Sequence, residues 1–177
     1  MERRTVVLIV ASDGYQPVEY GQTKKVLEDG GMSVRTASDK PDMAVAGDKT
    51  TTKVDMTINN IMVNEIDGVF WIGGPGAMDH LDNATNYTLA KKVANADKLF
   101  GAICIAPRIL AQAGVLTGKK ATGWNDDNEL ENVFKQYGVI YEPKPVVVDG
   151  NIVTATGPSS AQAFGKAILD LLKALPE

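Results

Sequence analysis

Five short apolar runs punctuate the chain, at Thr5 to Ala11, Ser33 to Ser38, Gly68 to Ile72, Leu99 to Ile103 and Ile152 to Thr156. They are apolar without strict alternation and too short for helices, as expected of strands buried on both faces. Between them the spacing turns helical. Pro17 to Asp29 predicts a helix stopped by Gly30-Gly31, and Pro107 to Ala113 one stopped by Gly114; Asn86 to Ala96 and Glu129 to Tyr137 read as two more. Near the end, Ala161, Phe164, Ile168, Leu171, Leu172 and Leu175 recur every three or four residues and form one apolar stripe. Strands alternating with helices predict an α/β fold with a mostly parallel sheet and helices on both faces. Ala46 to Thr57, with Gly47-Asp48 and a Thr-rich stretch, suggests a small hairpin or excursion, and Asn59 to Asn64 a short helix. There is no internal repeat, low-complexity tract or linker, so residues 1–177 read as one domain.

A chain of 177 residues with 44% apolar positions can bury a proper core without a disulfide or metal staple. Eighteen basic and 22 acidic residues leave a net charge of -4, with the cations scattered rather than massed, so neither a nucleic acid nor a membrane partner is expected. One cysteine, Cys104, and one histidine, His80, exclude an internal disulfide and the multi-ligand zinc patterns. The apolar run Val6 to Ala11 stops at Ser12-Asp13, too short for a signal peptide, and no run approaches a membrane span. A cytoplasmic setting is the expectation.

The most informative segment is Leu99 to Pro107, where an apolar strand runs into Cys104 and then into a helix with Pro107 in its first turn. Ala102 and Ala106 flank the cysteine at two residues' distance, the small neighbours that a strand–turn–helix nucleophile elbow needs. A thiol at a helix N-terminus is expected to favour the thiolate. The same local sequence also fits a buried, inert core cysteine. Gly73-Gly74-Pro75-Gly76 follows a strand, so its amides lie at the carboxyl end of the sheet and could cradle an oxyanion, or merely make a tight turn. Neither this run nor Gly118-Lys119-Lys120 has the spacing of a dinucleotide or phosphate loop, and no cofactor is expected. Glu19, in the first turn of the first helix, either complements the helix dipole or approaches Cys104 to move a proton. His80 is a surface histidine or an accessory base. Trp124, ahead of Asn125-Asp126-Asp127, could wall a pocket.

Together these pieces resemble the ThiJ/PfpI superfamily, which includes the PfpI intracellular proteases and the parkinsonism-associated deglycase. The resemblance is carried by Asp13-Gly14 through Glu19, Gly73-Gly74-Pro75-Gly76, Ala102-Ile103-Cys104-Ile105-Ala106-Pro107, Gly114-Val115-Leu116 with Gly118-Lys119, Val146 to Asn151, and Thr156-Gly157-Pro158. It implies a flavodoxin-like three-layer sandwich, a homodimer or larger homo-oligomer with Gly157-Pro158 near a subunit contact, Cys104 as nucleophile, Glu19 as its acidic neighbour, and Gly74 with Ile105 as oxyanion donors. Two departures stand out. The family's proteases carry a histidine directly after the cysteine, where this chain has Ile105. Its deglycase-like members place one after the Lys-x-Thr strand, where Lys120-Ala121-Thr122-Gly123 leads to Trp124. The remaining Cys104 and Glu19 dyad implies addition of a thiolate to a small electrophile, glyoxalase- or hydratase-like. The alternative is a non-catalytic redox sensor or stress-protective protein; peptidase activity is not expected.

Overall fold

The computed structural model describes residues 3–177. The strands are β1 (Thr5–Val10), β2 (Asp13–Tyr15), β3 (Ser33–Ser38), β4 (Met43–Ala46), β5 (Thr51–Lys53), β6 (Met56–Thr57), β7 (Gly68–Trp71), β8 (Leu99–Ile103), β9 (Lys120–Ala121), β10 (Ile140–Tyr141), β11 (Val146–Asp149) and β12 (Ile152–Ala155). The helices are α1 (Pro17–Asp29), α2 (Ala77–Leu81), α3 (Ala84–Asn95), α4 (Pro107–Gln112), α5 (Leu130–Gln136) and α6 (Ala161–Ala174). A seven-stranded sheet in the order β11-β12-β8-β7-β1-β3-β6 forms the middle layer, parallel except for β11 at its edge. The chain builds outward from β1 to β3 and β6, then returns to lay down β7, β8 and β12 on the other side. The strand order therefore reverses between β1 and β7, the place where open α/β sheets leave a crevice at the carboxyl ends of their strands.

Side-chain alternation divides the core into two layers. Val6, Leu8 and Val10 of β1 and Phe70 of β7 face α1 and α6, where Leu27, Phe164, Ile168 and Leu172 meet them. Val7, Ile9, Val69 and Trp71 face the opposite layer, packed with Leu89 and Val93 of α3, Ile109 and Leu110 of α4 and Phe134 of α5. Phe164 of the α6 stripe meets Phe70 edge-on at 6.0 Å between ring centroids. Because β1, β7 and β8 are covered on both faces, their sequences are continuously apolar rather than alternating.

The five expected strands are present, three of them one residue shorter at the C-terminal end, and the expected helices lie within two residues of their predicted bounds. The differences lie in the small elements. The excursion is a hairpin of β4 and β5 that starts before Ala46, at Met43, and joins β2 in a separate three-stranded sheet. β6 then returns to the main sheet beside β3. The short helix expected at Asn59 to Asn64 is two 3-10 turns, Ile58–Asn60 and Val63–Glu65, because each closes after a single turn. Val146 to Asp149 forms the antiparallel edge strand.

Two glycines separate packing from propensity. A Cβ on Gly101 of β8 would lie 1.7 Å from the Val153 carbonyl oxygen of β12, whereas one on Gly21 of α1 would meet nothing within 4 Å. Gly101→Ala is expected to destabilise the fold by at least about 3 kcal/mol through overpacking. Gly21→Ala should stabilise it by about 0.5–1 kcal/mol, since only the helix propensity changes. Urea unfolding of the two variants and the parent checks both signs.

Candidate active site

At the carboxyl end of β8 the chain turns through Cys104 with φ +65°, a left-handed conformation that a non-glycine residue adopts at a cost of about 1–3 kcal/mol. Two backbone bonds hold the turn: the Cys104 N–H donates to the Ala155 carbonyl (3.0 Å) and the Trp124 N–H donates to the Cys104 carbonyl (2.7 Å). The strained turn aims the side chain away from the strand, toward the loop after β7 and the first turn of α1. This is the nucleophile-elbow geometry, with Ala102 and Ala106 fully buried on either side.

Glu19 reaches the same point from α1. Gln16 caps that helix, its side-chain oxygen accepting the Glu19 N–H at 2.8 Å, while the Gln16 N–H donates to the Gly73 carbonyl at 2.9 Å. Helix α1 is thereby tied to the glycine loop. The fully buried Glu19 carboxyl accepts the Gly73 N–H at Oε1 (3.0 Å), and Oε2 has no hydrogen-bond partner. Gly73 sits between the two side chains: a Cβ there would lie 2.6 Å from the Cys104 Cβ and 2.8 Å from Glu19 Oε1. Gly74 follows at φ +122°, and a Cβ on it would strike the Gly14 carbonyl oxygen at 2.4 Å. Only glycine fits either position.

Burial pushes the Glu19 carboxyl up to about 7, against the Gly73 amide and the thiol, which favour the anion. Burial, then the neighbouring Glu19 charge, push the Cys104 thiol up to about 12, although the Ile105 and Gly74 amides face the sulfur and pull the other way. Burial and the facing carboxyl thus work against the thiolate that a helix N-terminus by itself would favour. The helix behind the cysteine has only six residues, too short for a strong dipole, and its amides do not offset the lost solvation and the facing carboxylate. Both shifts run upward, so the pair resists carrying two negative charges at once.

Of the other residues singled out in the sequence, Gly73, Gly74 and Ile105 surround the thiol, while Trp124 is joined to the Cys104 turn through its backbone. A clamp absent from the sequence reading fixes the Trp124 loop. Arg108, one turn after the cysteine, makes a bidentate pair with Asp127 at 2.8 and 2.9 Å, donates to the Trp124 carbonyl, and stacks its guanidinium 5.4 Å from the indole centroid. Asn125 Oδ1 accepts the Leu130 N–H and Asp127 Oδ1 the Glu129 N–H, so the acidic run does lead into α5. A cavity of about 370 Å³ opens along this loop between Trp124, Tyr141, Pro145 and Thr156.

His80 is engaged elsewhere, and nothing among the described residues links it to the thiol. Its Nδ1 lies 3.0 Å from Asp39 Oδ2, and Asp39 also takes the Ser12 N–H (2.7 Å) and hydroxyl (2.8 Å). Burial opposes ionisation of Asp39, but Ser12 and His80 outweigh it and hold the carboxyl below the usual carboxylate range. Asp39 follows β3 at the carboxyl end of the sheet, a position that could have drawn notice in the sequence.

The α/β sandwich, with a mostly parallel sheet between helix layers, is the fold of one class of protein. The DJ-1/PfpI family model matches residues 4–171, and the chain belongs to that family. It is 35% identical to an uncharacterised protein of Methanocaldococcus jannaschii, over 99% of this chain and 84% of that one. It is 29% identical to the deglycase PfpI of Pyrococcus furiosus, over 94% and 99% of the two chains. The crystal structure of a ThiJ/PfpI domain protein from Brachyspira murdochii superposes with a TM-score of 0.93 at 26% identity, covering 99% of this chain and all of that one. No helix among the described residues is long and apolar enough to cross a membrane.

The raised Glu19 value carries a stability consequence. A carboxyl whose folded value lies above its unfolded value of 4.5 keeps its proton longer in the folded state, so its ionisation opposes folding. The cost is absent well below pH 4.5, grows as pH rises, and is complete above about 7, where it is on the order of 3 kcal/mol. Glu19→Gln should therefore be more stable than the parent above pH 7, with the difference closing toward pH 4.5. Thermal unfolding of both proteins across that range checks the sign.

Proposed function

We propose that this protein is a cysteine-dependent enzyme that adds Cys104 to small electrophilic carbonyl compounds, with Glu19 relaying the proton. The observation that carries the proposal is the fully buried Glu19 carboxyl, poised near 7 against a thiol in a strained turn. A general base is most effective when its pKa lies near the working pH. On a 2-oxoaldehyde, ionised Glu19 takes the thiol proton as the sulfur electron pair forms a C–S bond to the aldehyde carbon. The carbonyl π pair moves to oxygen, which recovers the proton to give a hemithioacetal. The Ile105 and Gly74 amides, which face the sulfur, are the donors proposed to steady the developing oxyanion. Glu19 next carries the proton from the C–H of that carbon to the neighbouring carbonyl carbon, while the hydroxyl proton passes to the neighbouring oxygen through an enediol, leaving the thioester of a 2-hydroxy acid. Water releases the acid and restores the thiol, so the net change is addition of one water, with no outside oxidant or reductant.

Amide hydrolysis makes a further demand, a group that protonates a poor amine leaving group, the role usually given to histidine. Ile105 and Trp124 stand at both family positions for that histidine, and His80 is bound to Asp39. One observation favours a second reading, a redox sensor: the unpartnered Glu19 Oε2, if protonated, could donate to an oxygen of an oxidised Cys104.

Parent, Cys104→Ala, Glu19→Gln and His80→Ala proteins assayed on 2-oxoaldehyde and peptide panels separate the readings. Expected are turnover of 2-oxoaldehydes, lost in Cys104→Ala, reduced roughly 10²- to 10⁴-fold in Glu19→Gln, and kept in His80→Ala, with no peptide cleaved. Peptide cleavage that disappears in His80→Ala would refute these roles, and stable sulfinic acid without turnover would favour the sensor.

A further inference from the structure

On the far side of β1 from the cysteine, beside the same reversal in strand order, lies a second polar cavity of about 300 Å³. Small-molecule sites occupy about 300–1,000 Å³ and favour this end of open α/β sheets. Asp39, His80, Thr57, Asn59, Asn83 and Thr85 line it.

The arrangement of Asp39 and His80 leaves one ring nitrogen for a ligand. Three hydrogen bonds hold the carboxylate: Oδ1 takes the Ser12 amide (2.7 Å), and Oδ2 takes the Ser12 hydroxyl (2.8 Å) and meets His80 Nδ1 (3.0 Å), while the Ser38 hydroxyl gives its proton to the nearer Val10 carbonyl (2.7 Å). Asp39 thus turns its carboxylate toward Ser12 and His80 and fixes the imidazole through Nδ1. With Nδ1 engaged by Asp39, Nε2 is the ring nitrogen that remains for a ligand.

The lining decides the class of ligand. Hydroxyls and amides that both donate and accept match a molecule whose own groups do both. Asp39 and Asp79 are the charged residues of the wall, with neither Lys nor Arg among them, so anions are disfavoured. The nearest lining cation, Lys92, belongs to an adjoining hollow of about 310 Å³ beyond Thr85. Ile58 supplies one apolar surface suited to the C–H face of a sugar ring. We propose that this cavity is a second binding site, separate from the Cys104 dyad, for a small uncharged polyol or sugar, with His80 Nε2 hydrogen-bonded to a ligand hydroxyl.

His80 is the sole histidine, so its imidazole proton resonances can be followed without assignment overlap in the full-length protein. Glucose, ribose and xylitol are titrated separately against the parent protein at neutral pH. At least one is expected to move the His80 signals saturably, with a dissociation constant of about 1–10 mM or tighter. Asn59→Ala and Thr85→Val, at exposed positions, should each weaken that binding at least about tenfold while unfolding at the parent's temperature. Cys104→Ala should bind as the parent does, which keeps this test distinct from that of the dyad. Absence of a saturable shift with all three polyols, a shift produced instead by gluconate, inorganic phosphate or Zn2+ alone, or full binding in both variants would overturn the proposal.

Discussion

One hydrogen bond, from the Gly73 amide to Glu19 Oε1, organises the thiol-bearing end of the sheet. An ionisable carboxyl with no solvent contact costs several kcal/mol unless it is paired or keeps its proton. Here a single amide partly compensates it, and the remaining cost appears as a carboxyl poised near neutrality. The bond also imposes geometry. It brings α1 against the loop after β7 and requires glycine at position 73, between the Cys104 side chain and the carboxyl. Gln16 reinforces the junction by capping α1 and donating to Gly73 from the same residue.

Strain and solvation act together at Cys104. The left-handed turn is held by bonds to Ala155 and Trp124, and through Trp124 by the Arg108 clamp, so rigid neighbours on β12 and the loop before α5 over-determine it. Inside that frame the thiol has lost water and gained a facing acid. In the proposed reaction the carboxylate takes the thiol proton only as the C–S bond forms, since the thiol holds its proton more tightly than the carboxyl does. Addition to a carbonyl requires that proton relay and no more, whereas amide cleavage requires a second proton donor on the leaving group.

Two polar constellations flank β1. On one side the glycine loop after β7 meets Cys104 and Glu19; on the other, Ser12 after β1 and Asp39 after β3 meet His80 of α2. Both exist because crossovers leave in opposite directions from this strand, so the loops at its carboxyl end diverge and open a crevice. Since α2 begins directly after the glycine loop, the two constellations share a short length of backbone while using separate side chains.

The period of apolar residues determined the layered architecture, because a strand buried on both faces must be continuously apolar and a helix packed on one face must carry a stripe. Thr5–Val10 and the Ala161 to Leu175 stripe show this directly. The cysteine elbow and the glycine loop were legible too, since sharp turns and close approaches admit few residue types. β2 and β10 were not, because their three and two residues carry no period and pair only through the folded chain. Sequence alone could name Glu19 and Cys104, but their protonation, and the capture of the lone histidine by Asp39, belonged to tertiary structure. Solvation and charge–charge contact depend on which atoms surround a group, and residues 19, 73 and 104 become neighbours only when three separate loops meet at the carboxyl end of the sheet.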